Sequence, residues 1–230
     1  KGVFLNIFLV LLSFFFVLFV NTRLALFNVI LGVGVVFLND VKKRYNIQKV
    51  ILLFTTCTIV SIGMIYFYIQ KNPYMKEKYA TVTLAHIDKI GELDSVENPE
   101  AQVSNSLVTR LSIWKSALEV SKKYFLFGVG SSDGKEALYD YYNKTNQKFL
   151  FKYKFPVHNQ YIDFTIKFGI LGLLVSLLYM LTIGYLGFTT KKSIIIIFFL
   201  IFSLTNLVDD FLIRFDGIVF SGFWSSIFVC

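Results

Sequence analysis

The chain has 230 residues, of which 55% are hydrophobic, 18% aromatic and only 17% charged, and it carries a net charge of +8. Soluble domains average about a quarter charged residues, so this composition, with a mean hydropathy of +0.62, excludes an ordinary cytosolic enzyme, a disordered segment and a disulfide scaffold. The two cysteines, Cys57 inside an apolar run and Cys230 at the end, do not suggest a pair.

Six apolar runs follow in chain order: Val3 to Val20, Leu24 to Leu38, Val50 to Ile69, Phe168 to Phe188, Ile194 to Leu207 and Ile218 to Cys230. A spanning helix needs about 20 apolar residues. The first, third and fourth runs reach that length, the second and fifth need their polar flanks, and the sixth is cut short. A second run follows the first at once, with no small-residue cleavage site, so the first is not a signal peptide. The chain begins at Lys1 and ends in Phe228-Val229-Cys230, which reads as a portion of a longer membrane protein.

Lysines and arginines in short connections set orientation. Lys42, Lys43, Arg44, Lys49, Lys191 and Lys192 fall in two connections, against Arg23 and Arg214 in the opposite ones. The Lys42 and Lys191 loops are therefore expected in the cytoplasm, and Asn21 to Arg23, Gln70 to Lys167 and Asp209 to Asp216 outside. The expected fold is all-α and polytopic, with about six transmembrane helices and one long extracytoplasmic helical loop. Residues 1–69 would hold helices 1–3, residues 70–160 an extracytoplasmic loop, and residues 161–230 helices 4–6.

The long outer segment holds all three prolines and both histidines. Asn72-Pro73 and Asn98-Pro99 each place a capping Asn before a Pro at a first helical position. Leu107, Leu111, Trp114, Leu118 and Phe125 predict one face of an amphipathic helix. Asp133-Gly134-Lys135-Glu136 has capping-box spacing, with Ala137, Leu138, Tyr141 and Tyr142 behind it. A small helical cap over the outer membrane face is expected.

Several residues in these outer parts have the chemistry of a site. Arg23, between two membrane runs, either snorkels to anchor a helix end or holds an anion. Arg110, one turn before Trp114, makes a cation–π pair, lies on a solvated face, or forms half of an arginine grip on a diphosphate. Gly128-Val129-Gly130 before Ser131-Ser132-Asp133 is either a plain turn or a phosphate-binding one. His158, in His158-Asn159-Gln160-Tyr161 before the fourth run, is either an interfacial polar residue or a base for a hydroxyl proton. His86 suggests no role. Asp209, Asp210 and Asp216 more simply face water than hold a cation, and no His/Cys cluster has metal-ligand spacing.

The order of these pieces carries more than any one of them. Thr22-Arg23 stands before a span, Thr109-Arg110 and Trp114 lie on an outer helix, and Phe127-Gly128-Val129-Gly130 follows. Then come His158-Asn159-Gln160-Tyr161, Lys167-Phe168-Gly169 before a span, and Asp209-Asp210 leading to Asp216-Gly217. This arrangement resembles the O-antigen ligase and polymerase family of bacterial membrane glycosyltransferases over nearly the whole chain, here as a C-terminal portion. The resemblance implies an inner-membrane enzyme with its active site on the periplasmic face. Such an enzyme moves a glycan from undecaprenyl diphosphate to a hydroxyl of lipid A core or of another glycan, inverting configuration, with no metal, nucleotide sugar or other cofactor. It implies catalytic roles for His158, Arg110 and Arg23, and a substrate-binding set of Trp114, Gly128, Gly130, Asn159 and Tyr161. Its partners would be the lipid-linked donor, the acceptor and the bilayer, with no nucleic acid. Two readings compete: a transporter of the same lipid-linked glycan, and a structural subunit whose cap binds a partner. The transporter lacks mid-span ionisable residues and matched broken helices, and the subunit leaves the outer Arg and His residues unexplained.

Overall fold

The computed structural model describes residues 12–13, 15–17, 23–41, 46–73, 86–104 and 107–229. Among these the architecture is all-α, with no strand. Helix α1 (Arg23–Val36) runs into a π turn at Phe37–Val41 and is followed by the 25-residue α2 (Ile47–Lys71). Short 3-10 turns at Ile87–Lys89 and Leu93–Ser95 precede α3 (Pro99–Gln102), α4 (Leu107–Lys123), α5 (Gly134–Lys144) and α6 (Lys148–Tyr153). The chain then enters α7 (Gln160–Thr190), α8 (Ser193–Val208), a 3-10 turn at Phe211–Ile213 and α9 (Phe215–Val229).

Helices α1, α2, α7, α8 and α9 coincide with the second to sixth apolar runs, and most of the first run lies outside the described residues. Among the described residues, α7 is the one helix long and apolar enough to cross a bilayer, with 31 residues that include an 18-residue stretch of mean hydropathy 2.1. The stretches Leu24–Asn39, Ser193–Val208 and Phe215–Phe228 are apolar but shorter. The expected six spans thus stand at one full-length span and three shorter apolar helices.

The chain forms two compact units, residues 1–58 with 182–205 and residues 59–181 with 206–230. In the first, rings pack between the end of α7 and α8: Phe188 meets Phe199 edge-on, with centroids 6.1 Å apart. Asn39 donates its side-chain amide to the Lys191 carbonyl at 2.9 Å and to Ser193 Oγ at 2.8 Å. Asn39 opens one basic connection and Lys191 lies in the other, so both connections meet at one end of this unit. Lys42, Lys43 and Arg44 lie outside the described residues.

The second unit holds the cap. Its core is built from Val103, Val108, Ile113, Ala117, Val120, Leu138, Tyr142, Phe149, Leu150, Val157 and Ile166. Helix α5 begins where the capping-box spacing predicts and buries Leu138 and Tyr142, although Asp133 makes no side-chain cap. Burial pushes the Tyr142 phenol well above its ordinary pKa, and its hydroxyl reaches the Phe155 carbonyl at 3.3 Å. Asn98 likewise precedes α3 without a side-chain cap; Asn72 follows the end of α2 and Pro73 is helical again, and the residues after it lie outside the described ones.

Helix α4 corrects the sequence reading. The buried face is Val108, Thr109, Ser112, Ile113, Ser116, Ala117, Val120 and Ser121, whereas Leu118 and Phe125 of the predicted stripe are exposed. Small side chains let α4 lie close to its neighbours, and its hydroxyls are absorbed locally. Ser112 and Ser121 donate to carbonyls four residues back, both at 2.8 Å, and Ser116 to Gln147 at 2.9 Å.

Helix α7 is interrupted at Gly169, whose φ of 64° and ψ of −151° are not helical. The break frees backbone groups that must find partners, and the segment after α4 supplies them. Val129 and Gly130 donate to the Ile166 and Lys167 carbonyls, each at 2.9 Å, and the Phe125 carbonyl accepts from the Ile170 amide at 2.6 Å. The loop 125–130 is thereby spliced into the broken helix.

One turn above the break, Lys167 Nζ pairs with Asp163 Oδ2 at 2.6 Å, and both side chains are under one-tenth exposed. Removing one partner strands a buried charge, so Lys167→Met is expected to cost about 3–5 kcal/mol. Denaturant melts of the detergent-solubilised protein would measure this, and Asp163→Asn added to Lys167→Met should recover most of it.

Candidate functional site at the end of α8

The site lies wholly in the second unit, where α8 ends and its last carbonyls lack helical partners. Side chains from distant elements take them: Arg110 Nη1 donates to the Val208 carbonyl at 2.7 Å and Asn159 Nδ2 to the Leu207 carbonyl at 2.9 Å. A guanidinium there also meets the negative end of the α8 dipole. Gln160 is fully buried, and its Oε1 accepts the Leu212 amide at 2.7 Å.

The acidic turn follows. Arg214 Nη2 bridges Asp209 Oδ1 at 2.6 Å and Asp210 Oδ1 at 3.1 Å. His158 Nδ1 stands 3.4 Å from Asp209 Oδ1 and 4.0 Å from Asp210 Oδ1. Burial raises the Asp209 carboxyl pKa, but hydrogen bonds from His158 and Asp210 and the charge of Arg214 outweigh it, leaving it well below the ordinary carboxylate range. Its contribution to stability is therefore present at every pH above that range and lost only in strong acid. With an ionised carboxylate facing Nδ1, the network assigns the imidazole proton to Nδ1 and the lone pair to Nε2.

Local sequence explains how His158 is held. Its backbone is left-handed, with φ of 50°, a conformation uncommon outside glycine, although His is among the enriched exceptions. Asn159 ends the strained stretch by capping α7: its Oδ1 accepts the Ile162 amide at 3.1 Å, and its carbonyl accepts the Asp163 amide at 2.9 Å. Asn159 is buried and both its polar side-chain atoms are used, one for the cap and one for Leu207.

The other sequence candidates divide. Arg110 is half-buried beside the turn. Trp114 packs on the cap core, and its indole N–H is buried with no partner among the described residues. Gly128 and Gly130 belong to the splice, where the amides of residues 128 to 130 all bind protein carbonyls, so they are not aimed outward at phosphate. Tyr161 is half-buried in the first turn of α7. Arg23 opens α1 in the first unit. Sequence reasoning counted Arg214 only toward orientation and missed Gln160; the Asp210–Arg214 spacing of four was the available signal for the former. Ligand atoms of His158, Asp209 and Asp210 lie within 4.8 Å of one another, a spacing that suits a divalent ion, and the Arg214 guanidinium already supplies positive charge to both carboxylates.

No curated protein and no solved structure matches the chain. The profile described as O-antigen ligase matches residues 8–177, well over half of the length, a stretch that contains Arg23, Arg110 and His158. Members are glycosyltransferase-like ligases and polymerases of bacterial surface-polysaccharide biosynthesis, associated with membranes. A match over that share of the length shows that the chain belongs to the O-antigen ligase family.

Proposed function

We propose that the protein transfers a glycan from undecaprenyl diphosphate to an acceptor hydroxyl on the outer face of the bacterial inner membrane, as a multi-pass enzyme. One observation carries this reading: Arg110 and His158, far apart in sequence, both engage the adjacent residues Val208 and Asp209. An anion grip and a base thereby share one turn.

The acceptor oxygen forms its bond to the anomeric carbon as the bond from that carbon to the diphosphate oxygen breaks, inverting configuration. The hydroxyl proton passes to His158 Nε2, and the electron pair leaves on the diphosphate. A guanidinium has five N–H donors; Arg110 spends one on Val208 and offers others to the leaving oxygens, where charge grows in the transition state. Tyr161 and Trp114 shape the sugar side, whereas Asn159 acts on substrate through the backbone it sets around His158. Gly128 and Gly130 act through the splice.

The test is transfer by the reconstituted full-length protein from a purified undecaprenyl-diphosphate glycan, with lipid A core and lipid-linked glycan offered separately as acceptors. Mass on the first marks a ligase and on the second a polymerase. Binding of the donor with transfer to neither would replace this reading with that of a carrier. Arg214 fills the role of a cation at the acidic turn, so EDTA is expected to leave the rate unchanged.

Asp209 is a positioning residue. Asp209→Asn is expected to lower kcat with little change in KM, by between about tenfold and the 10⁴-fold seen when the orienting carboxylate of a Ser-His-Asp triad is neutralised. A proportional rise in KM instead would show that Asp209 binds substrate.

A further inference from the structure

The turn between α4 and the glycine stretch is the most exposed apolar feature of the cap. Phe127 is 85% exposed and Leu126 62%, with Phe125 also exposed. Single exposed apolar residues need no explanation, but three in a row on a loop tip do. Two lysines precede them in the last turn of α4. Lys122 pairs with Glu119 at 2.6 Å, and Lys123 lies over the Tyr124 ring, 5.1 Å from its centroid. Leu118, in the penultimate turn of α4, is exposed as well.

The tip is fastened to α7, the one helix among the described residues that is both long and apolar enough to span a bilayer. The Phe125 carbonyl takes the Ile170 amide, and Gly169 is so close to Leu126 that an added Cβ would lie 2.4 Å from its carbonyl oxygen. Below the break the exposed side chains of α7, Leu171, Val175 and Leu178, run down one face at helical spacing. Phe125, Leu126 and Phe127 stand beside this exposed apolar stripe and directly follow two lysines in sequence, a basic-then-apolar order that suits an interfacial anchor.

We infer that the 125–127 tip inserts into the leaflet at the N-terminal end of α7, with Lys122 and Lys123 at the level of its anionic headgroups. The inference concerns how the cap is seated and holds whatever reaction the site performs. It predicts that a bimane label at Phe127→Cys, in a Cys57→Ser/Cys230→Ser background of the full chain in liposomes, loses most of its emission to lipids brominated in the upper acyl chain. The same label at exposed Glu97→Cys should instead respond to aqueous iodide. Quenching of the Phe127→Cys label by iodide and not by brominated lipid would overturn the inference and place the tip in water. Protection from both quenchers would also overturn it, by placing the tip against another protein. A second variant, Leu126→Cys, guards against loss of fold in the first and is expected to give the same lipid quenching.

Discussion

Replacing His158 with alanine is expected to reduce glycan transfer by about 10²–10⁴-fold, the usual range for a positioned general base, while the protein still accumulates in the membrane. The side chain is only partly buried and its one described polar neighbourhood is the acidic turn, so its loss opens no core cavity. Its left-handed backbone is one that histidine adopts more readily than alanine does, so the alanine variant adds a small backbone strain and nothing larger. The effect should therefore appear in kcat, with melting of the purified protein close to that of the parent. Exogenous imidazole restoring part of the rate would identify the missing group as a base. Normal transfer by the alanine variant would remove His158 from the mechanism and leave Arg110 as an anion-binding residue alone.

The second large effect is on folding. Gly128 has φ of 70°, and a Cβ there would lie 2.3 Å from the Lys167 carbonyl oxygen and 2.5 Å from the Phe168 amide nitrogen, all backbone atoms. No side chain can swing away to make room. Gly128→Ala would have to push the loop off α7, breaking the Val129–Ile166 and Gly130–Lys167 hydrogen bonds and leaving the freed carbonyls without partners. Together with the left-handed backbone, this adds to roughly 4 kcal/mol, a large share of a typical domain's 5–15 kcal/mol. Gly130→Ala is the internal comparison. Its φ of 101° is equally unfavourable, but the nearest atom to an added Cβ is Asp133 Oδ2 at 3.8 Å, so only the backbone strain of about 1–3 kcal/mol remains. Melting midpoints of the two variants in detergent should differ in that order, and equal midpoints would mean that the splice does not hold the loop.

Much of the fold was legible because hydrophobic runs report helices directly: five of the six runs coincide with α1, α2, α7, α8 and α9. The start of α5 was legible from turn chemistry, as was the placement of His158 just before a long helix. The face of α4 was not. Large apolar residues were read as the core side, but the core here accepts a seam of Ser, Ala and Val, and close approach is a property of the neighbours that one segment's periodicity does not carry. The glycine stretch failed for a related reason. Gly128 and Gly130 look like a phosphate turn in isolation, and only the break at Gly169, some forty residues on, explains why their neighbours' amides are spoken for. Within the site, Arg110, His158 and Asn159 could be named from motifs, while the clasp they form on Leu207, Val208 and Asp209 belongs to tertiary structure.

The first limb of α7 also works as a ruler with a fixed phase. Nine helical residues, 160 to 168, separate His158 with its cap from the interruption at Gly169, a rise of about 13 Å at 1.5 Å per residue. Height and bearing are coupled in such a limb: one inserted residue would lift the imidazole by about 1.5 Å and also turn it by about 100°, carrying it away from the acidic turn. Only changes near whole turns would keep the imidazole facing Asp209, so the length of this limb is quantised, and the depth at which the imidazole stands can change only in steps of about 5.4 Å.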